Sequence, residues 1–427
     1  MNYENTLQFA QQLDEQDPLK DFRSKFLMPK HNGKDAIYLC GNSLGLQPVN
    51  AQECVNEIFD NWKNLAIEGF FTGGNPWLGL HKKLTHTLSN LLGAKSEEIT
   101  VMNSLTVNLH LMMVSFYKPD SKRYKIIMEG GAFPSDQYAI ASQAKFHGFD
   151  PKESVIEVFP REGELTLRTE DILEKINEHR DELALVLFGG INYYTGQFFD
   201  LAAVTRAAHD AGAIAGFDLA HAAGNVPLQL HDWDADFATW CSYKYMNSGP
   251  GGISGVFVHE KHFSNTKLSR FEGWWGFRED KRFTMPPTFE PDNGAAAWQL
   301  STSPVMLLAL HKAALGIFEE AGGLEPLRAK SILLTGYLEF LINLINEEYG
   351  DELFKIITPK EKNERGCQLS IVCKRDGKAI FNALSENGVI GDWREPDVIR
   401  LSPVPLYNSF EQVFEAGRIL AAAARKN

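Results

Sequence analysis

The stretch GAIAGFDLAH (212–221) decides the fold, because a short apolar run ends there in an aspartate and a histidine. A second run, DFATWCSYKY (236–245), ends in a lysine between two tyrosines. Comparable runs lie at YKIIME (124–129), ALVLFGG (184–190) and GISGVFVHE (252–260). Short runs that are rich in β-branched and aromatic residues, and that are bounded by Gly, Asp or Pro, are typical of buried strands.

Helical patterns separate several of these runs. RTEDILEKINEHR (168–180) and DLAAVTRAAHDAG (200–212) carry apolar residues at helical spacing, and the second ends in a glycine suited to a helix C-cap. Strand, helix and strand in repeated succession predict an α/β fold with a large, mostly parallel sheet that helices flank on both faces.

The pattern changes near residue 305 from this alternation to long helices. Two long helical segments are followed by two strand-like ones, at 304–323, 327–350, 365–374 and 397–408. We therefore predict a smaller α+β C-terminal domain at 306–427 and a large ligand-binding domain at 51–305. The N-terminal segment, 1–50, is expected to pack with the small domain.

The composition excludes several classes of protein. The 427 residues are 44% hydrophobic and 23% charged, which are values of an ordinary globular protein and not of a disordered or fibrous one. Acidic residues outnumber basic ones by 55 to 42 and no basic block stands out, so nucleic acid is not expected as a partner. The sequence has no run of about 18 apolar residues and no apolar leader in residues 1–22, which predicts neither a membrane span nor export.

The cysteines form an odd set without a C-x-x-C pair, namely Cys40, Cys54, Cys241, Cys367 and Cys373. Such a set argues against a disulfide framework and against a structural zinc site, so we expect no metal centre. A reducing compartment, the cytoplasm, fits these features.

Polar residues that follow the predicted strands are the candidates for a site, because ligands bind beyond the carboxyl ends of parallel strands. Asp218 can be a helix N-cap or a site residue. Lys244 can be a solvated strand end or an imine-forming amine, whose apolar surroundings favour its neutral form. One helix start places Thr106 where free backbone N–H groups can bind a phosphate. Phe133 and Asp136 follow a further strand, and the ring of Phe133 can belong to the core or stack on a flat ligand.

Together these residues are the set needed to hold pyridoxal phosphate. The lysine would carry the cofactor as an imine and the aspartate would keep the pyridine nitrogen protonated. The helix start would hold the phosphate, and the phenylalanine would cover the ring. The combination is much more specific than any one of its members.

Two competing motifs are weaker. HEKH (259–262) has two residues between its histidines where a zinc-protease motif needs three. GPGGISG (249–255) places Ser254 where a dinucleotide-binding motif needs its third glycine. Neither a zinc protease nor a dinucleotide fold is therefore favoured.

Eight motifs make the chain resemble the kynureninase family, over roughly residues 38–412. They are YLCGNSLGLQP (38–48), NSLTVNLHL (103–111), AFPSDQYAI (132–140), YYTGQ (193–197), GFDLAHAAGNV (216–226), WCSYKYMNSGPGG (240–252), RGCQLSI (365–371) and IRLSPVPLYNSF (399–410). The resemblance implies a pyridoxal phosphate enzyme of fold type I, which is similar to aspartate aminotransferase, and a homodimer with its sites at the subunit interface. It also implies a small amino-acid substrate: hydrolysis of L-kynurenine or 3-hydroxy-L-kynurenine to anthranilate or 3-hydroxyanthranilate and L-alanine, in tryptophan catabolism or NAD biosynthesis.

The resemblance further assigns site residues. Lys244, Tyr243 and Asp218 match the catalytic residues. The implied cofactor contacts are Leu105, Thr106, Phe133, Pro134, Ser135, Asp136, Asp218, His221, Tyr243, Lys244, Trp274 and Thr302, of which Trp274 matches a residue donated by the neighbouring subunit. The implied substrate contacts are Arg400, which would grip the α-carboxylate, and Ser43, Phe70 and Thr302.

The chain departs from the vertebrate pattern at three of the family's positions. Gly189 stands in place of a serine near the cofactor, so we expect that contact to be lost or moved to water. Phe70 and Thr302 stand where enzymes that prefer the 3-hydroxy substrate carry His and Asn, which favours plain kynurenine.

Two alternatives to this activity stay open. The first is another type I pyridoxal phosphate enzyme, such as an aminotransferase or a cysteine desulfurase, although a desulfurase needs an exposed, activated cysteine. The five cysteines here lie within or beside apolar patterns. The second alternative is a catalytically silent protein that binds pyridoxal phosphate.

Overall fold

The computed structural model describes residues 2–265, 267–350 and 352–426. Its α-helices are α1 Leu7–Gln16, α2 Ala51–Leu65, α3 Thr85–Leu92, α4 Leu105–Phe116, α5 Pro134–Phe146, α6 Pro151–Ser154, α7 Thr169–Glu178, α8 Leu201–Asp210, α9 Val305–Glu320, α10 Leu324–Tyr349, α11 Gly377–Glu386 and α12 Phe410–Lys426. Its strands are β1 Phe26–Leu27, β2 Lys30–His31, β3 Lys34–Asp35, β4 Ile37–Tyr38, β5 Gln47–Pro48, β6 Ile99–Val101, β7 Lys125–Glu129, β8 Val155–Val158, β9 Leu183–Gly189, β10 Ile214–Asp218, β11 Phe237–Trp240, β12 Gly255–Val258, β13 Phe354–Ile356, β14 Leu369–Cys373, β15 Val389–Ile390, β16 Asp392–Arg394 and β17 Val398–Leu401. No helix within these ranges combines the length and the apolar character needed to cross a bilayer.

The large sheet has seven strands in the order β6-β12-β11-β10-β9-β7-β8. Strand β12 is antiparallel to both of its neighbours, and the other strand pairs are parallel. The predicted α/β fold with a mostly parallel sheet is therefore confirmed. In this arrangement the carboxyl ends of β6, β7, β9, β10 and β11 meet at one edge of the sheet.

Central strands of this sheet are buried along their whole length, as continuous apolar runs predict. Two glycines let large rings lie flat against the strands. The ring of Phe237 occupies the space where Gly216 would carry a Cβ, and the indole of Trp240 occupies the same space at Gly255. The close packing of these rings fixes the neighbouring ends of β10 and β11.

A second, antiparallel sheet of four strands follows in the order β13-β14-β17-β16. It shares a hydrophobic core with α10, α11 and α12. The N-terminal segment reaches both cores, because Ala10 and Leu13 join this one while Phe26 and Leu46 join the core of the large sheet. The three-part division at residues 50 and 305 stays a prediction, and the terminal residues of its bounds, Met1 and Asn427, lie outside the described residues.

Asp236 is a buried carboxylate just before β11, at the edge of the sheet opposite to the strand ends described above. It accepts hydrogen bonds from the Nε2 atoms of His209 and His262, both at 2.8 Å, and from the backbone N–H of Ala215 at 2.7 Å. Burial alone would favour the neutral acid. The two histidines and the charge of Lys261 outweigh it and lower the pKa of Asp236.

Replacing Asp236 with Asn is expected to lower the free energy of unfolding at pH 7 by roughly 1–3 kcal/mol, because it removes charge-assisted hydrogen bonds from a buried site. A carboxylate whose pKa is lowered by folding contributes stability that is fully present above its unfolded pKa near 4 and is lost as the pH falls below it. Denaturant unfolding therefore should show a difference in the free energy of unfolding between wild type and Asp236→Asn that is smaller at about pH 3 than at pH 7. Asp234→Asn, at an exposed neighbouring carboxylate, is the matched control, and an equal loss in both variants would contradict this account.

Candidate functional site

A cavity of about 390 Å³ opens at the carboxyl edge of the large sheet. Glu129, Gly189 and Asp218 end three of its strands, and the loops after β6 and β11 complete the wall. The structure brings ten of the predicted site residues together here, namely Ser43, Leu105, Thr106, Phe133, Ser135, Asp136, Asp218, His221, Tyr243 and Lys244. Their roles in binding and catalysis stay predictions.

Lys244 presents its amine to this cavity from the loop after β11. Its Nζ lies 3.1 Å from Nε2 of His221, and 5.9 Å and 5.8 Å from the ring centres of Phe133 and Tyr243. The loop is held in place because the backbone N–H of Gly45 donates to the carbonyl of Tyr243 at 2.8 Å. A primary amine among aromatic rings, on a fixed loop, is suited to form an imine with an aldehyde.

His221 is buried beside the lysine and keeps one ring nitrogen free. Its Nδ1 has no hydrogen-bond partner among the described residues, whereas Nε2 faces Lys244. Burial lowers the pKa of His221 well below its usual value, and the charges of Lys244, Arg400 and Arg394 lower it further. The imidazole is therefore neutral at pH 7, and it offers a nitrogen that a ligand can satisfy.

Asp218 and Asp136 are two neighbouring carboxyl groups on this wall. Asp218 Oδ1 accepts a hydrogen bond from the backbone N–H of Ala220 at 2.8 Å, which stabilises the turn after β10. Asp218 also lines the cavity, so it has both a structural contact and a place in the site. Burial raises the pKa of Asp218, against the Ala220 hydrogen bond and the charge of Lys244. Burial and the nearby charge of Asp218 raise the pKa of Asp136 well above its usual value.

Glu129 is a third buried carboxyl group, which sequence reasoning took only for the last residue of a strand. Its Oε2 accepts from Asn192 Nδ2 at 3.3 Å, and its Oε1 lies 2.8 Å from where a Cβ on Gly189 would stand. Glu129 thus lies beside Gly189, the position at which the vertebrate pattern has a serine near the cofactor. Burial raises the pKa of Glu129 to about 7, with the charge of Asp218 adding to the effect and Asn192 opposing it.

The start of α4 forms the opposite wall. Ser104 is the N-cap residue, but its hydroxyl makes no capping hydrogen bond, and the residue lines the cavity together with Leu105 and Thr106. The first N–H groups of a helix attract anions, and two hydroxyls beside them add donors. This wall is suited to hold a phosphate.

Five predicted site residues lie outside the cavity of this chain, namely Phe70, Pro134, Trp274, Thr302 and Arg400. Trp274 is 45% exposed, and Thr302 is exposed as well. Phe70 packs edge-on against Trp77, with ring centres 5.2 Å apart. Trp274 thus does not line the cavity of its own chain, and the donated contact that the resemblance implies stays a prediction.

The discounted HEKH motif (259–262) places His259 in a cluster with Glu98 and His231. Glu98 Oε1 accepts from the backbone N–H of Glu260 and from His231, both at 2.9 Å, and Nδ1 of His259 accepts from the backbone N–H of Lys261 at 3.1 Å. The two imidazole rings are stacked, 4.8 Å apart and 9° from parallel, so their lone pairs do not converge on one ion. The cluster is satisfied by its own hydrogen bonds, and the expectation of no metal centre stays a prediction.

Comparisons with known proteins agree with these observations. The family model of the kynureninase C-terminal domain matches residues 327–420. The kynureninase of Flavobacterium psychrophilum is 54% identical over 427 residues, which cover 100% of each chain, and that of Christiangramia forsetii is 52% identical over 98% of each chain. Among solved structures, an apo cysteine desulfurase from Thermococcus onnurineus has the same fold, with a TM-score of 0.74 at 16% identity over 92% of this chain and 95% of the other.

Replacing Glu129 with Gln should stabilise the cofactor-free protein by up to about 3 kcal/mol at pH 8 and by little at pH 5. A carboxyl group whose pKa rises on folding binds more protons in the folded state, so its contribution becomes unfavourable as the pH rises from its unfolded value to about 7. Urea unfolding at the two pH values measures the difference. Glu162→Gln, at an exposed carboxyl group, is the control, and a gain that is equal at both pH values would contradict the assignment.

Proposed function

The chain belongs to the kynureninase family, and on that premise we propose that it hydrolyses L-kynurenine or 3-hydroxy-L-kynurenine to the corresponding anthranilate and L-alanine. It is a pyridoxal phosphate enzyme of fold type I, a hydrolase that cleaves a carbon–carbon bond next to a ketone. The observation that carries the proposal is the cavity in which the Lys244 amine and the Asp218 carboxyl meet the start of α4.

The residues of the cavity fit pyridoxal phosphate. Lys244 would bind the aldehyde carbon, Asp218 would pair with the pyridine nitrogen, and Thr106 with the first N–H groups of α4 would hold the phosphate. Phe133 would cover the ring, since its own ring stands 5.9 Å from Nζ of Lys244. The unpartnered Nδ1 of His221 is a buried polar atom that such a ligand would satisfy.

The bound cofactor withdraws electrons from the α-carbon of an amino acid, which makes its proton acidic. Lys244, whose amine faces the cavity, would hold the cofactor and would act as the base and acid that moves this proton. His221 is neutral and 3.1 Å from Nζ, so it can orient the amine without competing for the proton. Burial raises the pKa of Tyr243, so its hydroxyl stays protonated and can donate to the carbon that becomes the methyl group of alanine.

Exposed aromatic residues support a homodimer. Trp274 and Phe283 pack edge-on with ring centres 5.6 Å apart, and Phe71 lies 5.9 Å from the same phenylalanine. All three are 45–50% exposed, and a contiguous aromatic patch is typical of a contact with another protein. In a dimer, Trp274 would complete the cofactor site of the partner subunit.

We further propose that the enzyme works in the cytoplasm. Its reaction would belong to tryptophan breakdown or to NAD synthesis.

The cysteines distinguish this proposal from a desulfurase, whose fold the chain shares. Cys241, Cys367 and Cys373 are buried and Cys40 and Cys54 are half-buried. Burial raises the pKa of each of these thiols, to about 12 at Cys367 and Cys373. A nucleophilic sulfur needs the opposite environment. An aminotransferase or a silent cofactor-binding protein would be recognised by the absence of anthranilate release.

Purified holoenzyme should release anthranilate from L-kynurenine, and Lys244→Ala should lose both this turnover and the visible absorbance of the lysine-bound cofactor. We expect a fall in kcat of at least about 10³-fold, because the variant lacks both the covalent anchor and the proton-transfer group. Lys145→Ala, at an exposed lysine of α5, is the control and should match the wild type. A Lys244→Ala protein that keeps the absorbance would show that another amine binds the cofactor.

We expect kcat/KM for L-kynurenine to exceed that for 3-hydroxy-L-kynurenine by about tenfold. Phe70 lies outside the cavity of its own chain, and in the proposed dimer it would face the substrate at the subunit interface, where it gives a ring hydroxyl no hydrogen-bond partner. Phe70→His should narrow or reverse this ratio. Phe146→His, at an exposed phenylalanine of α5 that belongs neither to the cavity lining nor to the aromatic patch, serves as the control. A wild type that prefers the hydroxylated substrate, or an equal change in both variants, would refute the role of Phe70.

A further inference from the structure

The arginine that the family pattern assigns to the substrate carboxylate lies behind the cavity wall. Arg400 is fully buried in β17, opposite Asp392 of β16. Its Nη1 donates to the carbonyl of Tyr193 at 2.6 Å, and its Nη2 contacts Ser43 Oγ at 3.3 Å and forms an ion pair with Asp392. The charge of Arg400 is therefore already matched by a carboxylate of the protein itself.

A second guanidinium stands in front of it. Arg394 lines the cavity, and its side chain is 36% exposed. Its Nη2 lies 3.1 Å from the same oxygen of Asp392 that Arg400 contacts, and its Nε is buried with no hydrogen-bond partner among the described residues. Arg394 also contributes to the positive potential at His221, which adjoins the amine of Lys244.

These three side chains carry two positive charges and one negative charge, so the wall has one positive charge in excess. A single α-carboxylate would balance it. Asp392 cannot supply this balance, because its carboxylate is shared between the two arginines and accepts from Ser43 Oγ as well. A guanidinium binds a carboxylate best through two N–H groups, and the guanidinium of Arg394 lines the cavity with an Nε that has no hydrogen-bond partner among the described residues.

We propose that Arg394 is a second substrate-binding residue, which takes the α-carboxylate together with Arg400, and that Asp392 is the positioning residue for both guanidinium groups. The inference rests on the proposed function, because it needs a substrate with one α-carboxylate. It explains why two arginines and one aspartate lie at one end of the cavity. Arg400 sets the back of the carboxylate site, and Arg394 closes it from the open side.

The test compares two ligands, one with an α-carboxylate and one with a neutral amide in its place. L-alanine and L-alaninamide are titrated into holoenzyme, with the visible spectrum of the cofactor as the signal. In Arg394→Gln the preference for alanine over alaninamide should fall by about tenfold or more, because the variant loses a charge-assisted, two-pronged contact. Arg394→Lys should keep part of the preference, and KM for L-kynurenine should rise in both variants with a smaller change in kcat.

Arg418→Gln is the control, because this arginine of α12 is exposed and is also paired with an acidic residue, Glu415. An equal weakening of both ligands in Arg394→Gln would show that Arg394 only supports Asp392, and an unchanged preference would show that it does not contact the carboxylate. Either result overturns the proposal. If Arg394→Gln does not fold, the preference of Arg394→Lys for alanine over alaninamide is compared with that of the wild type, and an unchanged preference again overturns the proposal. A wild type that binds alanine but releases no anthranilate from kynurenine would instead refute the proposed function.

Discussion

Asp218 is a carboxyl group buried at the end of a central strand, and the rest of the site is organised around the need to balance it. Burial raises the pKa of Asp218, of Asp136 and of Glu129, and the charge of Lys244 opposes this effect at the first two. Three carboxylates and one ammonium cannot all be charged in a medium of low dielectric constant. The cofactor-free protein therefore keeps at least one of these carboxyl groups protonated, and the pyridinium ring of the cofactor, in the site that we propose, would favour the charged form of Asp218.

The ends of the strands could be predicted because the local sequence shows both the apolar run of the strand and the polar residue that follows it. An apolar run followed by a polar residue specifies Asp218 and Lys244, and parallel pairing then brings them to one edge of the sheet. Glu129 carries the same signal but was missed, because a single charged residue at the end of a strand is usually solvated. Only its packing against Gly189, on the neighbouring strand, shows that it is buried in the site.

The small sheet could be predicted as a set of elements but not as part of the site. Arg400 is recognisable from its motif. Arg394 and Asp392 can be recognised as neighbours of Arg400 only from the pairing of β16 with β17, which places Asp392 opposite Arg400. No periodicity in the sequence specifies that register. The same holds for Trp274, whose exposure in one chain is a property of the folded surface.

The two sheets meet at a short segment after β9, and this junction fixes the distance between the two ends of the site. Carbonyl groups of residues 193–195 accept hydrogen bonds from side chains of the small sheet and its flanks, from Arg400 at 2.6 Å, Gln368 at 3.1 Å, Ser370 at 2.6 Å and Thr358 at 2.6 Å. Each bond contributes about 1 kcal/mol, so separating the sheets here would cost several kcal/mol. The end of the cavity at Arg394, which we propose binds the carboxylate, is thereby held at a set distance from Lys244. In the proposed site this spacing would place the α-amino group of a substrate near Lys244 and its α-carboxylate at the arginines. Both groups sit on one carbon in every α-amino acid, so the junction would orient the α-carbon, and the choice among side chains would be made elsewhere in the cavity.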